Sequence, residues 1–262
     1  MKIGQVAAQM YTCREFLQSP KDIAGSLKKI KAIGYPAVQM SGQCAIDDHE
    51  LKAIIEDAGL ICCATHESPQ MILDEPEKVV EKLNNLNCKY TAYPYPAEVD
   101  FTSEESVGQL IIKLNAAGKV LAEAGQVLTY HNHHMEFRKL NGKLILERIY
   151  EETNPEYLQG EIDSYWAHYG GGVNTEWCRI LNNRLPLFHM KDFMITDSNE
   201  ITFSEIGKGN LNFKDIVPAA EAAGCEWFIV EQDTCPGDPF DSLKISFDYI
   251  AENLCDLPVG VC

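Results

Sequence analysis

The segment EAGQVLTYHNHH, residues 123–134, combines the two features from which the fold of this chain can be predicted. A helical pattern ends at Gly125, and glycine readily takes the left-handed conformation that follows many helices. A short apolar run, 127–130, comes next and is typical of a buried strand. That run leads directly into His131, so a side chain that can bind a metal stands where the strand ends.

This junction of helix, glycine and strand recurs along the chain. Gly34, Gly59 and Gly224 precede other strand-like runs in the same way, and Asn87 stands at an equivalent position. Eight strands are predicted, most of them separated by helical patterns, over residues 3–10, 36–41, 60–66, 89–93, 126–132, 159–163, 186–190 and 225–231. Strands and helices that alternate in this way predict a parallel sheet with right-handed crossovers.

Eight repeats favour closure into a (β/α)8 TIM barrel, which typically needs about 250 residues. The chain has 262 residues and no linker rich in proline, glycine or serine, so we expect one barrel domain over residues 1–262. An open doubly wound sheet is the alternative, but no Gly-x-Gly-x-x-Gly motif follows the first strand. The stretches 132–142 and 192–212 are expected to be irregular.

Composition limits the classes of partner. The formal net charge of −17 argues against a nucleic-acid partner and against an anionic membrane surface, because both require clustered lysine and arginine. No stretch approaches the ~18 apolar residues of a membrane span. No signal peptide is recognised, and the ten cysteines include no C-x-x-C motif. We therefore expect reduced thiols and a cytoplasmic location.

Three more of the predicted strands end in a possible metal ligand. Asp163 follows the run 158–162, His189 follows 186–188, and Glu231 follows 227–230. Successive parallel strands of a barrel end at one mouth, so these side chains and His131 are predicted to face a single ion. Mixed nitrogen and oxygen ligands indicate a divalent ion such as Mn²⁺, Zn²⁺, Co²⁺, Fe²⁺ or Mg²⁺ rather than a calcium cage. For Asp163 alone, a helix N-cap is the competing interpretation.

Catalytic and substrate-binding residues are expected around that ion. Glu231 or His133 would abstract a proton next to a polarised carbonyl. Lys191 would stabilise the developing oxyanion, unless it is a surface charge that pairs with Asp192. Four further side chains are predicted to bind substrate, although each taken singly could be a loop or packing residue: Gln39, His66, Glu136 and Trp166.

Several segments resemble the xylose isomerase-like sugar phosphate isomerase/epimerase family, whose relatives include ketose epimerases and inosose dehydratases. The resemblance lies in YHNHHMEF (130–137), DSYW (163–166), HMKDF (189–193) and GKGNLNF (207–213). It implies a TIM barrel with one divalent ion held by side chains of strands five to eight. By position these are His131, Asp163, His189 and Glu231. The family's epimerases carry glutamate where this chain has His131, so the resemblance leaves the reaction open.

The leading hypothesis is a metal-dependent isomerase or epimerase that acts on a small keto-sugar or polyol. A dehydratase of the inosose type on the same scaffold is the main alternative. An endonuclease-like barrel and a non-catalytic sugar-binding barrel are less favoured. A homo-oligomer is left open, because nothing in the sequence decides the oligomeric state.

Overall fold

The computed structural model describes residues 1–256. In this part of the chain eight parallel strands close into a barrel, in which each strand pairs with its neighbours in sequence and the first pairs with the last. In chain order the barrel strands are Val6–Gln9, Ala37–Met40, Ile61–His66, Tyr90–Tyr93, Val127–His131, Leu158–Asp163, Leu187–Met190 and Trp227–Val230. The predicted TIM barrel is confirmed, and the open sheet is excluded because the outer strands pair.

Helices follow the strands and cover the outside of the barrel. Within residues 1–256 they are α1 Pro20–Ile33, α2 Asp48–Asp57, α3 Pro69–Asp74, α4 Pro76–Leu86, α5 Glu104–Glu123, α6 Ile145–Glu151, α7 Ser164–Tyr169, α8 Asn174–Ile180, α9 Phe213–Ala222 and α10 Pro239–Asn253. None of these helices is long and apolar enough to cross a membrane.

The junctions between helices and strands have the predicted backbone. Gly125 has a φ of 78° and Asn87 a φ of 52°, so each adopts the left-handed conformation just after a helix. Glycine pays no steric penalty there, and asparagine tolerates it better than most residues. The turn lets each strand begin within a few residues of the preceding helix.

The structure differs from the sequence prediction in three segments. The first strand is shorter than 3–10, because 3₁₀ turns occupy Ile3–Gln5 and Met10–Phe16. The stretches expected to be irregular each contribute strands to a small antiparallel hairpin, 139–144 and 192–204. The first hairpin turns at Asn141 and Gly142, both with positive φ. Asn-Gly favours two-residue hairpin turns, so this signal was present in the sequence.

The lumen of the barrel has an apolar lower layer and a polar upper layer. Ala7, Ala37, Leu187 and Ile229 belong to one small buried cluster at the lower level. Side chains alternate along a strand, so the residue two positions further on faces the same way. The residues two positions after these four form the upper level, and all of them are polar and buried: Gln9, Gln39, His189 and Glu231. The strand sequences therefore place the polar groups of the lumen at one mouth.

Candidate active site

Four side chains converge at the carboxyl-terminal mouth of the barrel. His131, Asp163 and His189 belong to the fifth, sixth and seventh strands, and Glu231 directly follows the eighth. One ligand atom from each lies within 4.8 Å of one from every other. All four side chains are buried, and Glu231 is the most exposed at 5%. The structure thus brings together the four residues predicted to bind a metal.

Asp163 uses its two carboxylate oxygens for different purposes. Oδ1 accepts a hydrogen bond of 2.9 Å from the backbone N–H of Trp166 and so caps α7. Oδ2 is buried and makes no hydrogen bond, although it lies 3.1 Å from Nζ of Lys191. Burial raises the pKa of this carboxyl to about 6, and Lys191 opposes the rise. The two interpretations of Asp163, helix cap and ligand, are compatible because each needs one oxygen.

The two histidines of the cluster differ in electrostatic environment. Burial lowers the pKa of His131 to about 3, and His189 adds to this effect. Burial acts in the same direction on His189, but Glu161 and Glu231 raise its pKa to about 10. Metal binding requires the neutral ring, so an ion bound to His189 would release a proton.

Lys191 is the buried cation of the site. Its ammonium lies 3.1 Å from Asp163, 2.9 Å from Glu231 and 3.0 Å from Asp233, and its side chain is 2% exposed. Burial alone would lower the pKa of Lys191, but the three carboxylates raise it well above its usual range. Burial would likewise raise the pKa of Glu231, whereas Lys191 and His189 hold it well below. The ammonium of Lys191 and the carboxylate of Glu231 therefore each stabilise the charged form of the other.

The backbone around Lys191 is held on both sides. Its N–H donates to the hydroxyl of Ser164, which in turn donates to the carbonyl oxygen of Lys191. The carboxylate of Asp192 accepts backbone hydrogen bonds from the adjacent Phe193 and from three residues of the loop before α9: Gly207, Gly209 and Leu211. Asp192 is thus occupied with the backbone, and Lys191 pairs with the carboxylates of the site.

An aromatic wall borders one side of the cluster. The ring centroid of Trp166 lies 5.4 Å from that of His133 and 5.2 Å from that of His134, and Nζ of Lys191 lies 5.9 Å from the indole. On the side of Trp166 a cavity of about 430 Å³ is lined by His134, Tyr165, Trp166, Tyr169, Glu200 and Ile201. The indole therefore contacts both the charged cluster and a space of the size that a small ligand needs.

Two other predicted residues lie in the loop after the fifth strand. His133 is mostly buried, its Nδ1 makes no hydrogen bond, and burial lowers its pKa, so the ring is neutral. Glu136 is fully buried and accepts hydrogen bonds from the hydroxyl of Tyr130 and the backbone N–H of His133. Its contacts hold this loop, and it is not among the residues that line the cavity beside Trp166.

Gln39 and His66, both predicted to bind substrate, lie in the lumen beside the four-residue cluster. Gln39 donates to Glu161 and His66 lies 2.6 Å from the same carboxylate. Glu161 was not among the residues predicted from the sequence, and neither was Asp233. Glu161 stands two residues before Asp163 on the same strand, so both side chains face the lumen. This spacing could have identified Glu161 from the sequence. Asp233 lies in a loop beyond the eighth strand, where no periodicity indicates direction.

A family model described as "Xylose isomerase-like TIM barrel" matches residues 27–252 of this chain. The chain is 31% identical over 194 residues to an inosose dehydratase of Geobacillus thermodenitrificans. The match covers 66% of this chain and 63% of that protein, so it spans less than two thirds of the relative's length.

Solved structures agree with the fold. A sugar phosphate isomerase/epimerase from Parabacteroides distasonis has a TM-score of 0.80 and 22% identity, with 95% of this chain and 94% of that chain covered. An L-ribulose 3-epimerase has a TM-score of 0.76 and 13% identity over 97% of this chain and 95% of its own. At such identities the likeness concerns the barrel alone. Because the family model covers most of the sequence, the chain belongs to the xylose isomerase-like TIM barrel family.

Proposed function

We propose that this protein is a divalent-metal-dependent enzyme that moves a proton next to the carbonyl group of a small keto-sugar or polyol, and so isomerises or epimerises it. The observation that carries the proposal is the buried cluster of His131, Asp163, His189 and Glu231, with ligand atoms within 4.8 Å of one another. Such a cluster of convergent ionisable groups is costly in a barrel interior unless it binds a cation or acts in catalysis.

The donor set suits a divalent transition metal. Two imidazoles and two carboxylates match the preferences of Mn²⁺, Co²⁺, Fe²⁺ or Zn²⁺ better than those of Ca²⁺. The buried Oδ2 of Asp163 makes no hydrogen bond and is closest to the ammonium of Lys191, so it has a lone pair available to a second cation. When bound, the ion would polarise the carbonyl of the substrate and hold a neighbouring hydroxyl.

The residues of the chain would supply the proton transfer. Glu231 is held ionised beside Lys191, so it can accept the proton from the carbon next to the carbonyl. The electrons of the broken C–H bond then form a carbon–carbon double bond, and negative charge develops on the carbonyl oxygen. The ammonium of Lys191 would stabilise that charge. The hydroxyl on the deprotonated carbon then gives its proton to the former carbonyl oxygen, and return of the first proton to the former carbonyl carbon completes an isomerisation.

His133 is the second candidate for a proton carrier. Its ring is neutral, its Nδ1 is buried without a hydrogen bond, and it borders His131 with a centroid distance of 5.1 Å. A second carrier on another side of the substrate is what an epimerisation needs. Trp166 would cover the C–H face of the sugar, with the neighbouring cavity receiving the rest of the molecule.

Dehydration is the second candidate reaction. It is favoured by the similarity to the inosose dehydratase and by His131 at the end of the fifth strand, where epimerases of the resemblance carry glutamate. Elimination shares the first step, since a proton leaves the carbon next to the carbonyl. The carbanion electrons then expel a hydroxyl group from the adjacent carbon, with a proton supplied to form water.

Proton NMR in D₂O distinguishes these reactions. Protein loaded with Mn²⁺ and then freed of excess ion is incubated with a panel of keto-sugars and inososes. Deuterium incorporation without loss of water indicates isomerisation or epimerisation, and a new alkene or enol signal indicates dehydration. The Glu231→Gln variant is the control and is expected to abolish exchange. If no candidate exchanges a proton and the protein binds no divalent ion, the proposed function is wrong.

A further inference from the structure

Glu161 lies in the lumen next to the proposed metal ligands and is close to both of their histidines. It is fully buried on the sixth strand, and its Cα is in register with that of His131. Its Oε1 lies 2.6 Å from Nε2 of His66, 3.2 Å from Nδ1 of His131 and 3.1 Å from Nε2 of His189. One carboxylate oxygen therefore lies near a ring nitrogen of each of three imidazoles, although only its contact with His66 is a hydrogen bond and Nδ1 of His131 makes none.

An ionised carboxylate can only accept hydrogen bonds. A ring nitrogen that lies this close to it must carry a hydrogen, because two lone pairs would otherwise repel each other. The negative charge of Glu161 therefore favours a hydrogen on Nδ1 of His131 and on Nε2 of His189. In a neutral imidazole the opposite nitrogen then keeps its lone pair.

Gln39 imposes the same tautomer on His189 independently. Its Oε1 lies 2.6 Å from Nε2 of His189 and also accepts a hydrogen bond from Gln9. Its amide nitrogen donates to Oε2 of Glu161, which fixes the orientation of the amide. Nε2 of His189 thus faces two acceptors and must be the donor.

The opposite nitrogens point toward the other carboxylates. Nε2 of His131 lies 3.8 Å from Oδ2 of Asp163, and Nδ1 of His189 lies 2.9 Å from Oε2 of Glu231. The 2.9 Å contact is a hydrogen bond, so without an ion Nδ1 of His189 also carries a hydrogen, and an ion bound at this nitrogen would replace that proton. Nε2 of His131, Nδ1 of His189 and the two carboxylates therefore face one position.

We infer that Glu161 is a positioning residue that fixes the tautomers of both histidines, so that His131 binds the ion through Nε2 and His189 through Nδ1. This inference rests on the proposed metal site. Carboxylates that hold a ligating histidine in this way typically change metal affinity by about 10- to 100-fold when they are removed. Gln39 and His66 would then act through Glu161, since both contact its carboxylate.

A competing arrangement uses the same residues. His66, His131, Glu161 and His189 also offer ligand atoms within 4.8 Å of one another. An ion bound there would use Nδ1 of His131 and Nε2 of His189, the nitrogens assigned here to Glu161. The two arrangements share both histidines but use opposite faces of each ring, so the bonded nitrogens decide between them.

The first test is a crystal structure of the wild-type protein with Mn²⁺, located by its anomalous scattering. Bonds to Nε2 of His131 and Nδ1 of His189 support the inference, and bonds to the opposite nitrogens, with Glu161 as a ligand, overturn it. In the second case the proposed function still stands, because the protein binds a metal ion at the mouth of the barrel. If wild-type protein binds none of Mn²⁺, Co²⁺, Fe²⁺ and Zn²⁺ by calorimetry, this inference fails, and the proposed function fails with it if no candidate substrate exchanges a proton.

The second test compares two buried glutamates by calorimetric titration of Mn²⁺. Glu161→Gln is expected to weaken binding by about 10- to 100-fold, because an amide cannot accept from all three imidazoles. Glu136→Gln is the matched control, since Glu136 is equally buried but contacts Tyr130 and His133 instead, and its Kd for Mn²⁺ should stay within about twofold. A Kd for E161Q within the same twofold would overturn the inference. If E161Q does not fold, the crystallographic test still decides.

Discussion

The ammonium of Lys191 lies 2.9 Å from Oε2 of Glu231 and 3.1 Å from Oδ2 of Asp163, so one cation of the chain already contacts two of the proposed metal ligands. It also lies 3.0 Å from Asp233, which is outside the ligand cluster. Lys191 therefore competes electrostatically with a metal while remaining anchored to a carboxylate of its own. Removing the charge of Lys191 should therefore have opposite effects on metal binding and on catalysis.

Replacing Lys191 by methionine should strengthen Mn²⁺ binding and weaken catalysis. The variant loses a positive charge beside the ion but keeps a side chain of similar length. We expect kcat/KM to fall by about 100- to 1,000-fold, as when an oxyanion donor is removed. Calorimetry and steady-state rates on the substrate identified by NMR measure the two effects.

The same variant should have a lower melting temperature without metal, because the buried carboxylates of Asp163 and Glu231 and the partly exposed one of Asp233 lose their cation. Added Mn²⁺ should restore more stability to it than to the wild type. Lys244→Met is the control, since Lys244 pairs with Asp248 on the exposed face of α10. Weaker Mn²⁺ binding by K191M would show that the lysine does not compete with the ion.

Asp163 allows its two roles to be separated by a pair of substitutions. Asp163→Asn keeps an oxygen that can cap α7 but loses the charge, whereas Asp163→Ala loses both. Both variants should bind Mn²⁺ at least about 100-fold more weakly, which exceeds the upper range for an outer-shell partner. The alanine variant alone should lose a further ~1 kcal/mol of unfolding free energy, the usual value of an N-cap. Equal stability of the two variants in urea would contradict the capping role.

Glu136 should make the stability of the protein depend on pH. Burial raises its pKa to about 7 from an ordinary value of 4.5, although hydrogen bonds oppose the rise. Between these values the unfolded chain releases the proton while the folded chain keeps it, so the free energy of unfolding falls as pH rises. At about 1.4 kcal/mol per pKa unit, the loss between pH 5 and pH 8 is at most about 3 kcal/mol.

Urea denaturation of the wild type and of Glu136→Gln at pH 5, 6, 7 and 8 isolates this contribution. The difference in unfolding free energy between the two proteins should move in favour of the variant as pH rises. Below pH 4.5 the carboxyl is protonated in both states, and its contribution should no longer change. A difference that is constant from pH 5 to pH 8 would show that Glu136 is ionised in the folded protein.

Replacing Trp166 should weaken substrate binding without changing the affinity for the metal ion. Trp166→Ala removes the surface that faces both the cavity and the charged cluster, so KM should rise by about tenfold. The Kd for Mn²⁺ should stay unchanged, since the backbone N–H of residue 166 still donates its hydrogen bond to Asp163. Trp166→Phe keeps an aromatic face and should give an intermediate KM. A changed Kd with an unchanged KM would place the indole with the metal rather than with the sugar.

Sequence alone predicted the parts of this molecule that repeat. Gly125 and Asn87 marked the ends of helices, and the apolar runs that followed became barrel strands. Each proposed ligand stood at the end of such a run, where parallel strands of a barrel must meet. Bonds between distant segments could not be predicted in the same way. Glu161 and Asp233 acquire their significance only from partners far along the chain, such as His66 and Lys191.

The two halves of the chain contribute different groups to the polar upper layer of the lumen. All four proposed ligands come from the fifth to eighth strands or directly follow them, whereas Gln9, Gln39 and His66 come from the first three. Gln39 contacts Glu161 and His189, His66 contacts Glu161, and Gln9 supports both by contacting Gln39 and His66. A fragment that begins at the fifth strand would contain every proposed ligand but none of these three supporting residues. Separately expressed halves should therefore recover tight metal binding only when they reassociate.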